Sequence, residues 1–563
     1  MTSKRGKDDP SPLWSAFWLS LFGLVLQLFF LENMDLEPLF GPGGVKSISA
    51  LAEDYPQRDW GTWLMHWFLP LADNRPDIAA RMAVMMGSTM TIFGASLAGS
   101  SISDVWAGRW LGCFVACYAP IIWNSILIGP DAIATGVIWF GLGLSYYGAS
   151  KHFAIGLPLS LFGAFACIFA AKIKITAFPA TTFIGIVPFL AMKPTLWGKL
   201  RGIFLGSICL AGLLWLRENW MSSTTSPVST PSLNRSTLEY GHQQLQKVFN
   251  QESVIVQLSM AALIGIFLPR RNILGKITLG GLCLVALLLT ASTLGDKIRP
   301  RYFAATSLPI LILFASFFSR SPFKWIRYIQ NSVGTIVVLF LLLDSIAYHS
   351  EWAKLMHRYS KTELSTLPQV PSGWTDRYLK FSRLDHDDHS TAGAKRLHEL
   401  SIEAKTEAVL GVPLRDGRDF HLKAAAEISD HKALILTPKF CCKQQSNLKL
   451  CAEQTLDLIT KSSARLILPI VTTDHARIPN DTHSWYQSLL QASRKYSHFH
   501  EEEQWGYLDG KGNQKLPCDR PPRRKKGLWE IDGERHNPRP NNPNQFPKPK
   551  PQKKASQAPP EHP

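Results

Sequence analysis

Residues 13–31 read LWSAFWLSLFGLVLQLFFL, and residues 32–37, which follow, read ENMDLE. A transmembrane helix needs about 20 apolar residues, so this run predicts a first membrane-spanning helix. No small-residue cleavage site follows the run, which favours an uncleaved helix over a signal peptide. Because Lys4, Arg5 and Lys7 precede the run, we expect the N-terminus on the cytoplasmic side.

Further apolar runs continue to about residue 348, and with the first they predict about eleven transmembrane helices. The eighteen Trp and thirty Phe of the chain fit helices whose ends lie in the membrane interface. The further helices are predicted near Ile78–Gly99, Arg109–Ile126, Asp131–Tyr147, Phe153–Ala171, Thr176–Met192, Ile203–Leu216, Val254–Leu268, Ile277–Leu294, Tyr302–Phe318 and Val333–Ala347.

The net charge of +17 is spread in a way that indicates membrane topology rather than nucleic-acid binding. With the N-terminus inside, four of the predicted inside loops are basic, as the positive-inside bias requires, whereas the short loop 100–108 is nearly uncharged. The basic loops contain Lys151, the segment 193–201, the group Arg270, Arg271 and Lys276, and the segment 320–327. An odd number of helices then places everything after about His349 outside.

The chain divides by composition into a cytoplasmic N-terminus (1–12), a membrane domain (13–348) and a soluble part. The outside loops of the membrane domain are 33–77 and 217–253. Short apolar runs at 433–436 and 465–471, and the helix-like stretch 392–409, predict an α/β domain over 349–517. Residues 518–563, rich in Pro and Lys, predict a disordered basic tail.

Cysteine usage fits this division. Five cysteines lie in apolar runs and are predicted to be inert packing residues: Cys113, Cys117, Cys167, Cys209 and Cys283. The remaining four lack zinc-ligand spacing, and one or two disulfides are expected among them if that part is outside the membrane: Cys441, Cys442, Cys451 and Cys518.

The first outside loop carries the candidate catalytic acids, Asp35 and Glu37. Acids at a membrane boundary, followed by the Trp-rich segment 61–68, indicate a site that works on a molecule held in the lipid surface. The alternative is that both acids are solvated loop residues. His66, between Trp63 and Trp67, is predicted to lie in an interfacial amphipathic helix rather than in a metal site.

Cations and one further acid at helix ends are the candidate phosphate-binding residues: Lys172, Lys174, Asp131, Lys297, Arg299 and Arg301. Transfer from a sugar phosphate needs a base, which a carboxylate can provide, and cations for the departing phosphate. For Arg299 and Arg301 the alternative is a snorkelling pair at the membrane interface. For Lys172 and Lys174 it is a simple interfacial location. For Asp131 the alternative is stabilisation of a helix start.

Four sequence blocks carry a family resemblance: Ala79-Ala80-Arg81, the segment 129–133 (GPDAI), the segment 171–176 (AKIKIT) and the segment 299–303 (RPRYF). In this order they resemble the polytopic GT-C class of lipid-sugar-dependent glycosyltransferases, in its protein-mannosyltransferase and aminoarabinose-transferase branch. The resemblance implies a polyprenyl-phosphate-sugar donor, an acceptor on the outer face and a catalytic acid early in the first outside loop. By position that acid is Asp35, with Glu37 second; the family usually has adjacent Asp-Glu, whereas here Leu36 separates them.

We therefore predict a glycosyltransferase of the bacterial cytoplasmic membrane that moves a sugar from a polyprenyl-phosphate donor to an envelope lipid or polymer. The periplasmic domain is expected to bind the acceptor or a partner protein. No cofactor is established, and a requirement for a divalent metal stays open. A catalytically inactive GT-C-like scaffold in an envelope complex is the first alternative. A lipid or substrate transporter is the second.

Overall fold

The computed structural model of the chain describes residues 11–33, 60–191, 196–223, 253–267, 272–293 and 300–357, and much of 396–514. A few isolated residues between these ranges, such as Leu51, are also described. Up to His357 the described secondary structure is helical, and the strands lie between Ala408 and Asp509. The predicted tail, 518–563, lies outside the described residues.

The helical part consists mainly of long apolar helices, with shorter ones between them. Its α-helices are α1 (Pro12–Asn33), α2 (Trp60–His66), α3 (Pro76–Ile102), α4 (Val105–Cys117), α5 (Ala119–Ile126), α6 (Pro130–Ser150), α7 (Phe153–Ile173), α8 (Val187–Ala191), α9 (Leu196–Ser223), α10 (Ser253–Phe267), α11 (Ile273–Thr293), α12 (Pro300–Ser316) and α13 (Lys324–His357). Within the described ranges, six helices are long and apolar enough to cross a membrane, or up to seven if one bent pair is a single span. The chain is therefore a polytopic helical membrane protein.

Two segments that the sequence predicted as single α-helices are built differently. The predicted helix 109–126 is the pair α4 and α5, which is bent by 54°, because Pro120 lacks the N–H that a continuous helix requires. The predicted helix 176–192 is a 3-10 segment, Ile175–Ile186, followed by α8. It contains Pro179, which likewise prevents regular α-helical bonding.

Glycines let α3 and α6 pack backbone to backbone. A Cβ atom on Gly94 would lie 2.0 Å from the Trp139 carbonyl oxygen, and one on Gly136 would lie 2.1 Å from the Gly87 carbonyl oxygen. Small residues at such spacing are the usual interface of membrane helices, where close backbone approach replaces the hydrophobic driving force. Gly163 brings α7 equally close to α6.

One end of the helical bundle is stabilised by hydrogen bonds around Asp104. The Asp104 carboxylate accepts hydrogen bonds from the backbone N–H groups of Trp106 and Ala107, each at 3.0 Å, and so caps α4. It also accepts one from the Arg320 N–H at 2.9 Å. The Ser103 and Ser316 hydroxyl oxygens are 2.7 Å apart. This end, called the Asp104 end below, therefore holds the end of α3 and the end of α12.

The C-terminal part contains a five-stranded sheet of order β2-β1-β3-β5-β4. Its elements are β1 (Ala408–Gly411), β2 (Lys432–Ile435), α14 (Leu448–Thr460), β3 (Ala464–Pro469), α15 (Asn480–Ser493), β4 (Phe499–Glu501) and β5 (Trp505–Asp509). Strands β2, β1 and β3 are parallel, whereas β5 and β4 are antiparallel. The predicted strands at 433–436 and 465–471 correspond to β2 and β3, but the predicted helix 392–409 overruns the start of β1.

The cysteines differ between the two parts. In the described helical part, Cys113, Cys117, Cys167 and Cys283 form no disulfide, whereas Cys451 is disulfide-bonded. Cys441, Cys442 and Cys518 lie outside the described residues.

Helix α13 continues to His357, nine residues past the predicted end of the membrane domain at 348. The predicted domain boundaries stay predictions.

Candidate functional site

The opposite end of the bundle is the one at which α1 ends, α6 begins and α7 ends; it is called the first-loop end below. Asp131 lies in the first turn of α6, and Lys174 caps the end of α7. The Lys174 Nζ atom is 4.0 Å from the Asp131 Oδ1 atom, and the two side chains are 29% and 14% exposed. Two predicted phosphate-binding residues are thus brought together across an antiparallel helix pair.

The ion pair leaves the lysine ammonium able to bind an anion. A separation of 4.0 Å exceeds hydrogen-bond length, which is about 2.7–3.2 Å. Among the described residues Lys174 has no closer polar partner for its side chain. Gly129, the N-cap of α6, makes no side-chain capping hydrogen bond there, and the helix dipole adds positive potential at the same place.

The aromatic segment of the first outside loop lies beside these cations. Met65 on α2 packs in one apolar cluster with Ile173 at the end of α7. The ring centroid of Trp60 is 5.5 Å from that of Phe169, which precedes Lys172 by three residues and so lies on the same helix face. Trp60 and Trp67 are 48% and 65% exposed. Helix α2 therefore packs one face against the bundle and exposes another, and the interfacial location predicted for His66 and its neighbours stays a prediction.

Arg81, on α3, lies at the same end of the bundle. It is the last residue of the sequence block that resembles the family, and one of its guanidinium N–H groups donates to the Ile126 carbonyl at the end of α5. Three cationic residues therefore lie at the first-loop end: Arg81 on α3, and Lys172 and Lys174 at the end of α7. Phosphate oxygens accept hydrogen bonds from such groups.

Several predicted site residues are not placed by the structure. Asp35, Glu37, Lys297 and Arg299 lie outside the described residues. Arg301 lies in the first turn of α12, but its side chain is not described. Among the described residues no group of three or more His, Cys, Asp or Glu is arranged to hold a metal ion, and the question of a divalent-metal requirement stays open.

Sequence reasoning missed a buried histidine at the first-loop end. His349, on α13, is 0% exposed, and its ring lies 4.9 Å from that of Phe30 near the end of α1. The sequence signal was present, because an ionisable residue at the end of an apolar run is a candidate functional residue. The prediction placed the membrane boundary one residue before it.

An apolar groove of about 740 Å³ lies between α10, α11 and α12. Its lining includes Met260, Phe267, Leu284, Leu287 and Leu313. Helix α12 begins at Pro300 and ends at Ser316, which is at the Asp104 end, so the start of α12 lies roughly 24 Å away from that end. The α12 residues that line the groove, Ile310 and Leu313, lie within about 9 Å of Ser316 along the helix, so this wall of the groove is nearer to the Asp104 end.

The chain is similar to two solved structures. The chain is similar to ArnT from Cupriavidus metallidurans bound to undecaprenyl phosphate, with a TM-score of 0.47 and 14% identity over 87% of this chain and 97% of that chain. It is also similar to the Archaeoglobus fulgidus oligosaccharyltransferase in its apo form, with a TM-score of 0.41 and 10% identity over 80% and 69% of the two chains. Both are polytopic GT-C glycosyltransferases, the class that the sequence resembles. No protein-family model matches the sequence, and no curated protein matches it.

Proposed function

We propose that the chain transfers a sugar from a polyprenyl-phosphate donor to an envelope lipid or polymer at the first-loop end. The observation that carries the proposal is the Lys174–Asp131 pair, at 4.0 Å, beside Lys172 and the aromatic helix α2. Cations on this side oppose the positive-inside bias if the end faces outward. A phosphate ligand gives them a function there.

The transfer itself needs a base for the acceptor and cations beside the departing phosphate. As the acceptor oxygen or nitrogen attacks the anomeric carbon, its proton passes to a base, for which Asp35 or Glu37 is proposed. The bond from that carbon to the phosphate oxygen breaks, and the lysines stabilise the charge left on the phosphate. Lys297, Arg299 and Arg301, just before and at the start of α12, are proposed to assist in binding the phosphate.

We propose that the apolar groove beside α12 holds part of the carrier's isoprenoid chain, because the side chains that line it are apolar apart from that of Ser259. The ArnT structure that is similar to this chain was solved with undecaprenyl phosphate, a carrier of the kind proposed here. We place the protein in a bacterial cytoplasmic membrane with about eleven helices. The disulfide at Cys451 is in keeping with a periplasmic C-terminal part.

The proposal is tested by transfer assays with purified protein in membranes, a panel of radiolabelled polyprenyl-phosphate sugars and an envelope extract as acceptor. Wild type is expected to transfer label from one donor. Asp35→Asn or Glu37→Gln is expected to abolish the transfer while leaving expression and donor binding intact. Retained transfer in both variants would remove the two acids from the mechanism.

A catalytically inactive scaffold is the second candidate. It is favoured by the spacing of Asp35 and Glu37, which Leu36 separates, and by the soluble C-terminal part beyond the helical domain. Absence of transfer from every donor, together with an unchanged envelope phenotype for both acid variants in cells, would establish this candidate instead.

A further inference from the structure

His349 sits in an aromatic cage formed by three helices. Its ring centroid lies 4.9 Å from that of Phe30 on α1, 5.7 Å from that of Trp123 on α5 and 5.4 Å from that of Tyr348. The side chain is completely buried. The cage lies close to the membrane boundary, because Phe30 is three residues from the end of α1 and the apolar span of α13 ends at Ser350.

The hydrogen bonding of His349 fixes which ring nitrogen is free. Its Nδ1 atom is 2.6 Å from the Ser345 carbonyl oxygen, and a carbonyl only accepts, so Nδ1 carries the proton and donates. In the neutral imidazole Nε2 is then a lone-pair acceptor. Among the described residues no group donates to Nε2. A phenylalanine would fill the same cage without burying an unpaired acceptor, so packing does not explain a histidine here.

Further buried polar atoms without partners lie on the neighbouring residues. Gln27, which is 1% exposed, precedes Phe30 by three residues and therefore lies on the same face of α1. Neither its amide nitrogen nor its amide oxygen has a partner within the described part of the chain, and the same is true of the Ser350 hydroxyl. Donors and acceptors that are buried and unpaired in one region indicate that a polar ligand or water completes them.

We propose that this corner of the first-loop end binds a sugar ring, with His349 Nε2 accepting a hydrogen bond from a sugar hydroxyl or amino group. A sugar presents several donors and acceptors close together, which matches the mixed set on Gln27, His349 and Ser350. The inference rests on the proposed function, since it assigns a sugar-recognising position to that same end. The sugar can be that of the donor or of the acceptor.

The test measures binding to the full chain in nanodiscs by three probes: undecaprenyl phosphate, undecaprenyl-phosphate-glucose and undecaprenyl-phosphate-aminoarabinose. Wild type is compared with His349→Phe, with His349→Gln, which keeps an acceptor, and with His152→Phe, a His→Phe control at the exposed residue before α7. Thermal unfolding is recorded for each variant.

His349→Phe is expected to bind one sugar-bearing carrier about tenfold more weakly, the effect of one lost hydrogen bond. Its affinity for bare undecaprenyl phosphate and its unfolding temperature should not fall, and His349→Gln should recover much of the loss. Unchanged donor binding with a raised KM for acceptor in the transfer assay would support the inference and assign the sugar to the acceptor.

Three outcomes overturn the inference. Equal donor affinities and equal acceptor KM values for wild type and His349→Phe would mean that only water completes the site. An equal loss for the bare carrier would mean that the residue does not recognise the sugar. If wild type binds no carrier at all, the inference falls together with the proposed function, whereas the first two outcomes leave that function intact.

Discussion

Two completely buried ionisable side chains differ in their partners. His349 has one ring nitrogen that accepts from no described residue. Arg396, which is 1% exposed, donates to Glu502 at 2.7 and 2.6 Å, to Glu399 at 3.0 Å and to Glu403 at 3.2 Å. Burial lowers the pKa of Arg396, but the hydrogen bonds to the three carboxylates outweigh that effect and raise its pKa above the ordinary value. The first residue therefore indicates a ligand site, and the second a structural network.

Arg396→Met should destabilise the C-terminal part by about 1.5–3 kcal/mol, because it leaves three partly exposed carboxylates without their charged hydrogen-bond donor. Glu403→Gln, at a side chain that is 43% exposed, should change stability by less than about 1 kcal/mol. Pulse proteolysis of the full chain across a urea series measures both. Equal effects of the two substitutions would contradict the network.

At the scale of the element, long apolar runs predicted helices such as α3, α6 and α7 to within a few residues, because length and composition alone determine such helices. The bend at Tyr118 and the 3-10 segment from Ile175 were not predicted, since they depend on where Pro120 and Pro179 fall relative to neighbouring helices. The Asp131–Lys174 pair was named as two separate candidates. Their contact depends on the antiparallel register of α6 and α7, which no local pattern contains.

The register of α3 against α6 depends on glycine, so Gly94→Leu should displace the two backbones. Overpacking of this kind costs about 1–3 kcal/mol or more, and we expect a lower unfolding temperature in detergent and a lower yield of monodisperse protein. Gly281→Leu is the matched control, because a Cβ atom there meets no neighbour within 4 Å. Equal behaviour of the two variants would show that the helices do not approach each other closely.

At the scale of the whole molecule, the account requires the first-loop end to face outward. A cysteine at Leu71, which is 71% exposed, should react with a membrane-impermeable maleimide in intact cells. A cysteine at His152, an exposed residue near the other ends of α6 and α7, should react only after the membrane is permeabilised. The unsubstituted chain measures the background. The reverse pattern would place the lysines in the cytoplasm and exclude a periplasmic reaction.

Two lysines at opposite ends of the bundle provide a matched comparison of charge and function. Lys174 on the first-loop end and Lys151 at the other end of α6 are both half-buried lysines, but only Lys174 lies beside Asp131. The Lys151 ammonium lies over the Tyr147 ring, 4.3 Å from its centroid. If the carrier phosphate binds at the first-loop end, these two lysines should differ in their effect on the donor and not in their effect on folding.

The most direct test is therefore the KM for the lipid-linked donor in wild type, Lys174→Gln and Lys151→Gln, all reconstituted in the same membranes. Loss of a charge-assisted contact to phosphate is worth about 1.5–3 kcal/mol, which corresponds to roughly a tenfold to hundredfold rise in KM. We predict that rise for Lys174→Gln alone, with an unchanged unfolding temperature. An unchanged donor KM in Lys174→Gln, or an equal rise in Lys151→Gln, would contradict phosphate binding at the first-loop end.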